Sequence, residues 1–81
     1  MDLDMMTTLF SRGVAVTTSD SIALPFIPNG LYVGGAGNVA VQWPDGTQTT
    51  FIAVPVGTIL PIRPAFVRAT NTTATNIVAV I

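Results

Sequence analysis

Residues 38–53, NVAVQWPDGTQTTFIA, constrain the fold more than any other part of the chain, because period-two alternation runs straight into a reversal. Val39, Val41 and Trp43 alternate with Asn38, Ala40 and Gln42, which sends every second side chain to one side of an extended backbone. Pro44-Asp45-Gly46 then supplies a pre-set first corner, an Asx side chain and a glycine free to take positive φ. The chain must double back. A three-residue loop places Trp43 opposite Thr47, Val41 opposite Thr49 and Val39 opposite Phe51. One face then carries Val39, Val41, Trp43, Phe51 and Ala53, and the other Asn38, Gln42, Gln48 and Thr50. A helix cannot sort the residues this way.

The rest of the chain repeats that logic in shorter pieces. Val14 to Thr17 reads as a strand entering a polar turn at Ser19-Asp20-Ser21, and Leu31 to Val33 as a strand leaving the Pro28-Asn29-Gly30 turn. Pro25 and Pro28 remove ladder donors, so Ile22 to Pro28 is an edge or an extended connector. Gly34-Gly35-Ala36-Gly37 reads as a tight hairpin between two strands. After Pro55-Val56-Gly57, strands are expected at Thr58 to Ile62, Ala65 to Thr70 and Asn76 to Ile81, the last two separated by a polar Asn71 to Thr75 loop. The sum is an all-β chain, a small antiparallel sandwich or barrel of six to seven short strands over residues 13–81. Residues 1–12 differ in character. Asp2 or Asp4 caps a short helix whose Leu3, Met6, Leu9 and Phe10 share a face, with Arg12 at its negative end. So short a helix is marginal alone, and its methionines make an adaptable apolar surface. The segment reads as a docking arm.

Composition limits what such a domain does. Eighty-one residues give one domain with little core to spare, and without cysteine there is no disulfide to reinforce it. Only three arginines and four aspartates are charged, far below an ordinary soluble surface, while mean hydropathy is positive. Burial against copies of itself is the expected remedy. A net charge of -1 with no lysine offers nothing to a nucleic acid. Prolines and glycines interrupt every apolar stretch before it reaches spanning length, and the acidic N-terminus does not match a signal peptide. The expectation is a protein made in the cytoplasm, outside membranes.

Chemistry has little to work with. There is no histidine, cysteine, lysine or glutamate, so most bases, nucleophiles and metal cages are missing, and neither enzymatic activity nor a cofactor is expected. Asp20 and Asp45 sit in turns that their backbone-bonding ability explains. Gly35, Gly37 and Ala40 fit a dinucleotide fingerprint, but a period-two segment follows where a helix should begin. Pro61-Ile62-Arg63-Pro64 has polyproline II spacing without a flanking basic cluster and fits an edge strand better. Asn71-Thr72-Thr73 matches a glycosylation sequon formally and reads as a loop. Trp43 is expected in the core with Tyr32 beside it, the competing reading being a sugar-stacking platform. Arg63 and Arg68 are either rim residues or bidentate contacts to a carboxylate on another subunit.

Four segments carry a family likeness: LYVGGAGNVAV from Leu31, PDGTQTTF from Pro44, VPVGTILPIR from Val54 and VRATNTTATNIVAV from Val67. Together they resemble the small spike-base or head-decoration (cement) proteins of tailed bacteriophages and gene transfer agents. The resemblance covers Leu31 to Ile81. It implies a structural virion protein on the outer surface of an icosahedral capsid, a homo-oligomer (trimer or pentamer) bound to the major capsid protein, where it would lock neighbouring shell subunits or form a pedestal for a fibre. In that setting Leu3, Met5, Met6, Leu9, Phe10 and Arg12 of the arm, with Arg63 and Arg68, are the candidate partner interface. The Asn71 to Thr75 loop or the Gly34 to Gly37 turn would face outward. A tail or baseplate component and a small carbohydrate-binding β-module are the competing readings.

Overall fold

Seven strands make two antiparallel sheets in the computed structural model, which describes residues 10–81. They are β1 (Gly13–Ala15), β2 (Gly30–Gly35), β3 (Gly37–Gln42), β4 (Gln48–Val54), β5 (Thr58–Leu60), β6 (Phe66–Val67) and β7 (Thr75–Val80). One sheet has the order β1-β7-β2-β5 and the other β4-β3-β6. The architecture is the sandwich of the two expected forms. No helix among the described residues is long and apolar enough to cross a membrane. Between the sheets lie Leu31, Val33, Val39, Val41, Val67 and Ile77, all buried, with Trp43, Phe51 and Leu60 packed around them.

The β3–β4 hairpin has the register that its sequence dictates. Val39 faces Phe51, Val41 faces Thr49, and the Trp43 N–H donates to the Thr47 carbonyl at 2.8 Å. Asp45 Oδ1 accepts from both the Thr47 N–H and the Thr47 hydroxyl, which stiffens the turn through an Asx bond. One residue departs from the expected apolar face. Gly37 pairs with Val54 rather than Ala53, so β4 carries an extra residue opposite Asn38. Ala53 takes φ +53, lies exposed, and donates its N–H to Asn38 Oδ1 at 2.9 Å. Val54 occupies the buried position instead. On the other side of β3, Ala40 is buried as well, so this strand is covered on both faces.

The glycine segment is not a hairpin. β2 bonds to β5 and β7, whereas β3 bonds to β4 and β6, so Gly34 to Gly37 carries the chain from one sheet to the other. The physical reason lies in how closely β7 approaches. A Cβ on Gly34 would stand 2.7 Å from the Asn76 carbonyl oxygen, and one on Gly37 would stand 2.5 Å from the Ala74 nitrogen. Only glycine lets the crossover pass so near a neighbouring backbone. Tyr32 also differs from expectation. Leu31 and Val33 point inward, which sends Tyr32 to the outer face of the four-stranded sheet, while Trp43 belongs to the other sheet.

Two expected strands are shorter than their composition suggests. β5 stops at Leu60, before Pro61, and the Ile62 N–H turns back onto the Leu60 carbonyl. β6 holds only Phe66 and Val67; the Arg68 N–H still donates to the Ala40 carbonyl, but by Thr70 the N–H goes to the Asp20 carboxylate instead of a ladder partner. Residues 16–29 form the connector that the prolines require, fixed by Ser19 N–H to Val67 O and Leu24 N–H to Ala65 O.

Candidate functional surface

The arm residues Leu3, Met5, Met6 and Leu9 lie outside the described residues. The end of the arm at Ser11 and Arg12 is firmly attached. The N–H groups of these two residues both donate to the Ile81 carbonyl, and the Ile81 N–H donates to the Arg12 carbonyl, which ties the two ends of the described chain together. Phe10 is half-buried, its ring near Gly30 and Ile59. The Arg12 guanidinium stands 5.4 Å from the centre of the Phe26 ring, a cation–π contact on an exposed side chain.

The two remaining arginines part company. Arg63 is exposed. Arg68 turns inward along its own chain, where Nε lies 3.5 Å from Asp20 Oδ1 and a terminal nitrogen donates to Gln42 Oε1 at 3.2 Å. Asp20 also accepts from the N–H and the hydroxyl of Thr70. Hydrogen bonding from the Thr70 hydroxyl is the main cause that holds the Asp20 carboxyl below its ordinary value, its N–H and the Arg68 charge adding to it. This clasp joins residues 50 positions apart and fastens the connector to the end of β6.

The threonine-rich loop has a structural use that composition did not reveal. Beyond β6, where the ladder against β3 ends, the Thr72 hydroxyl accepts from the Ala40 N–H at 3.0 Å and the Thr73 hydroxyl from the Asn38 N–H at 2.8 Å. The N–H groups of Thr73 and Ala74 return bonds to the Asn38 carbonyl. Threonine hydroxyls thus accept from the β3 N–H groups, while the backbone N–H groups of Arg68, Thr73 and Ala74 serve its carbonyls. Asn71 takes φ +71 to start the turn.

The most exposed large apolar side chains are Ile22, Ile52 and Val56, with Ile27 less so. Ile52 is 70% exposed and Val56 64%, and with Ala53 and Pro55 they form a ridge at the end of β4 broken only by buried Val54. Ile22 is 74% exposed beside a groove of 240 Å³ between β1 and the connector. Trp43 is half-buried and its indole Nε1–H donates to Thr49 Oγ1 at 2.9 Å. With Tyr32 on the outside of the opposite sheet, the two do not compose one flat stacking surface. Among the described residues no cluster of carboxylates has the makings of a metal site.

No protein-family model and no curated protein matches the chain. Among solved structures it matches a chain in the capsid of the native GTA (gene transfer agent) particle, computed with C5 symmetry, with 35% identity and a TM-score of 0.82. The match covers 89% of this chain and 83% of that one. The two belong to one family. For a member of this capsid-chain family, the structural features sort into two kinds. The crossover glycines, the Asp20–Arg68 clasp and the threonine loop hold the sandwich together, whereas the ridge, the groove and Arg63 remain on its outside.

Proposed function

We propose that this chain is a non-enzymatic structural virion protein that decorates the outer surface of an icosahedral capsid, as a cement subunit or the base of a head spike. The observation that supports this is the likeness, over nearly the whole sandwich, to a chain of a native GTA capsid. The physical character of the chain agrees: seven charges in 81 residues and an exposed apolar ridge suit a surface finished by neighbours. In this reading the protein assembles with copies of itself as a trimer or pentamer, rests on the major capsid protein and offers its far side to a fibre. Leu3, Met5, Met6 and Leu9, leading into Phe10 and Arg12, supply the grip on the shell. Arg63, which is exposed, would pair with a shell carboxylate in bidentate fashion.

The test uses capsids assembled without the protein. Purified full-length chain is mixed with them, pelleted and imaged by electron microscopy. The reading expects co-pelleting with saturable stoichiometry and new density outside the shell at symmetry-related positions. A chain that stays in the supernatant, or density confined to the tail, would overturn it.

A further inference from the structure

The two apolar features at the sides of the sandwich lie on opposite edges. The Pro55–Thr58 turn joins β4 to β5, so one lateral edge is formed by these two strands; Val56 lies in that turn, and Ile52 projects from the outer face of edge strand β4, opposite in direction to Phe51, which packs on the core. The other edge is formed by β1 and by the connector that runs along β6, and between them lies the 240 Å³ groove. Val14, Val16, Ile22, Leu24 and Ala79 line it, with Ser19 among its few polar neighbours and no charged side chain. A projecting apolar ridge on one edge and an apolar recess on the other are complementary surfaces that no single copy can bring together.

Charge and edge design point to the same occupant. β4 is the longest strand and its outer edge has no ladder partner among the described residues. Folded proteins usually guard such an edge with lysine, proline or a very short strand. Here β5, β6 and β1 are two or three residues long, whereas β4 has no charge between Asp45 and Arg63 and is interrupted only near its end, by the extra residue at Ala53 and then Pro55. Strand direction adds a second complementarity. β1 and β2 are both antiparallel to β7, β5 is antiparallel to β2, and the tight turn reverses the chain between β4 and β5. β1 and β4 therefore run the same way. Arg12, just before β1, and Asp45, just before β4, lie at the same end, so rotation about an axis along the strands brings opposite charges together as it brings ridge to groove.

We infer that the Ile52–Val56 ridge of one copy docks into the β1–connector groove of the next, a head-to-tail contact that closes into a ring. Different surfaces meet at each contact, as a cyclic assembly of more than two copies requires. The inference specifies the self-association in the proposed function and rests on that part of it alone.

Single variants at exposed positions decide the matter. I52D spoils the ridge and I22D the groove, each at a side chain whose exposure makes the fold insensitive to the change, which circular dichroism verifies. Native mass spectrometry of the full chain should give a multi-copy ring for wild type and monomers for each variant. An equimolar mixture should stop at a dimer, because I22D keeps an intact ridge and I52D an intact groove. Since the chain contains no cysteine, an oxidised I52C/A23C double variant should give a ladder of crosslinked multimers. A wild-type monomer at every accessible concentration, a variant that keeps the wild-type mass, or a mixture that rebuilds the ring overturns the inference. Pairing of β4 with β4 about a two-fold axis would show itself as undisturbed assembly of I22D. Failure of the wild type to pellet with capsids while the variants behave as stated sinks the decoration role and leaves this contact standing.

Discussion

Asp20 and Thr70 show how a polar pair acts at the scale of single residues. Because the carboxyl lies below its ordinary value of 3.8 when folded, it stabilises the fold above that pH, and the contribution is lost as pH falls through the folded value. Asp45, held down chiefly by the Thr47 hydroxyl, adds in the same sense. Both groups are exposed, so the effect is small and salt-screened. D20N should have a melting temperature below wild type at pH 7 and approach it at pH 2.5, as followed by calorimetry. Equal gaps at the two pH values would contradict the linkage. Thr72 provides a sharper test. T72V leaves the Ala40 N–H without its acceptor in a buried strand, which should cost about 1–3 kcal/mol in urea unfolding. The Asx pairing at Asp45 could be read from Pro-Asp-Gly-Thr directly. Nothing local marks Asp20 as the partner of a residue half a chain away.

At the scale of elements, the hairpin and the crossover make a contrast. β3 and β4 are joined by a tight turn, so alternation plus turn chemistry fixes both partner and register before any other contact forms. Gly34 to Gly37 has the composition of a turn too, yet it serves as a passage between sheets because β7, far along the chain, claims β2. The consequence is testable at Gly34. G34A drives a methyl to 2.7 Å from the Asn76 carbonyl oxygen and should cost about 1–3 kcal/mol or more, whereas at Gly13 the nearest atom is Val78 Cγ1 at 3.1 Å and the nearest backbone atom is 3.8 Å away, so G13A should cost less. Equal losses would show that β2 and β7 part easily. Core truncation sets the scale: L31A removes a fully buried side chain in register with Ala79 and Leu60, and should cost about 2–5 kcal/mol.

For the whole molecule, the arm and the sandwich separate by experiment. Deleting residues 2–9 spares the backbone bonds of Ser11 and Arg12 to Ile81. The shortened chain should therefore melt within a few degrees of wild type but fail to pellet with capsids. Unchanged capsid binding would move the grip from the arm to the sandwich. Composition led to the expectation of burial against neighbours, since a sparsely charged chain of this length has little else to cover its apolar groups. Which surfaces those are was not legible. Ile22, Ile52 and Val56 look in sequence like any other strand or turn residue, and they become an exposed ridge and groove wall only through the placement of β1, β4 and the connector.

What the sequence determined alone is whatever neighbours in the chain decide between themselves: a series of short extended segments, the β3–β4 register, the Asx turn, and the exclusion of residues 22–28 from a central strand. Tertiary structure decided the rest: β2 against β7, the extra residue at Ala53, the pairing of Arg68 with Asp20, and threonine hydroxyls accepting from the N–H groups of β3. The reason is that a period of two tells a strand which side to bury but says nothing about which strand lies beside it. That choice belongs to long-range packing, where glycines permit close approach and buried N–H groups must find an acceptor.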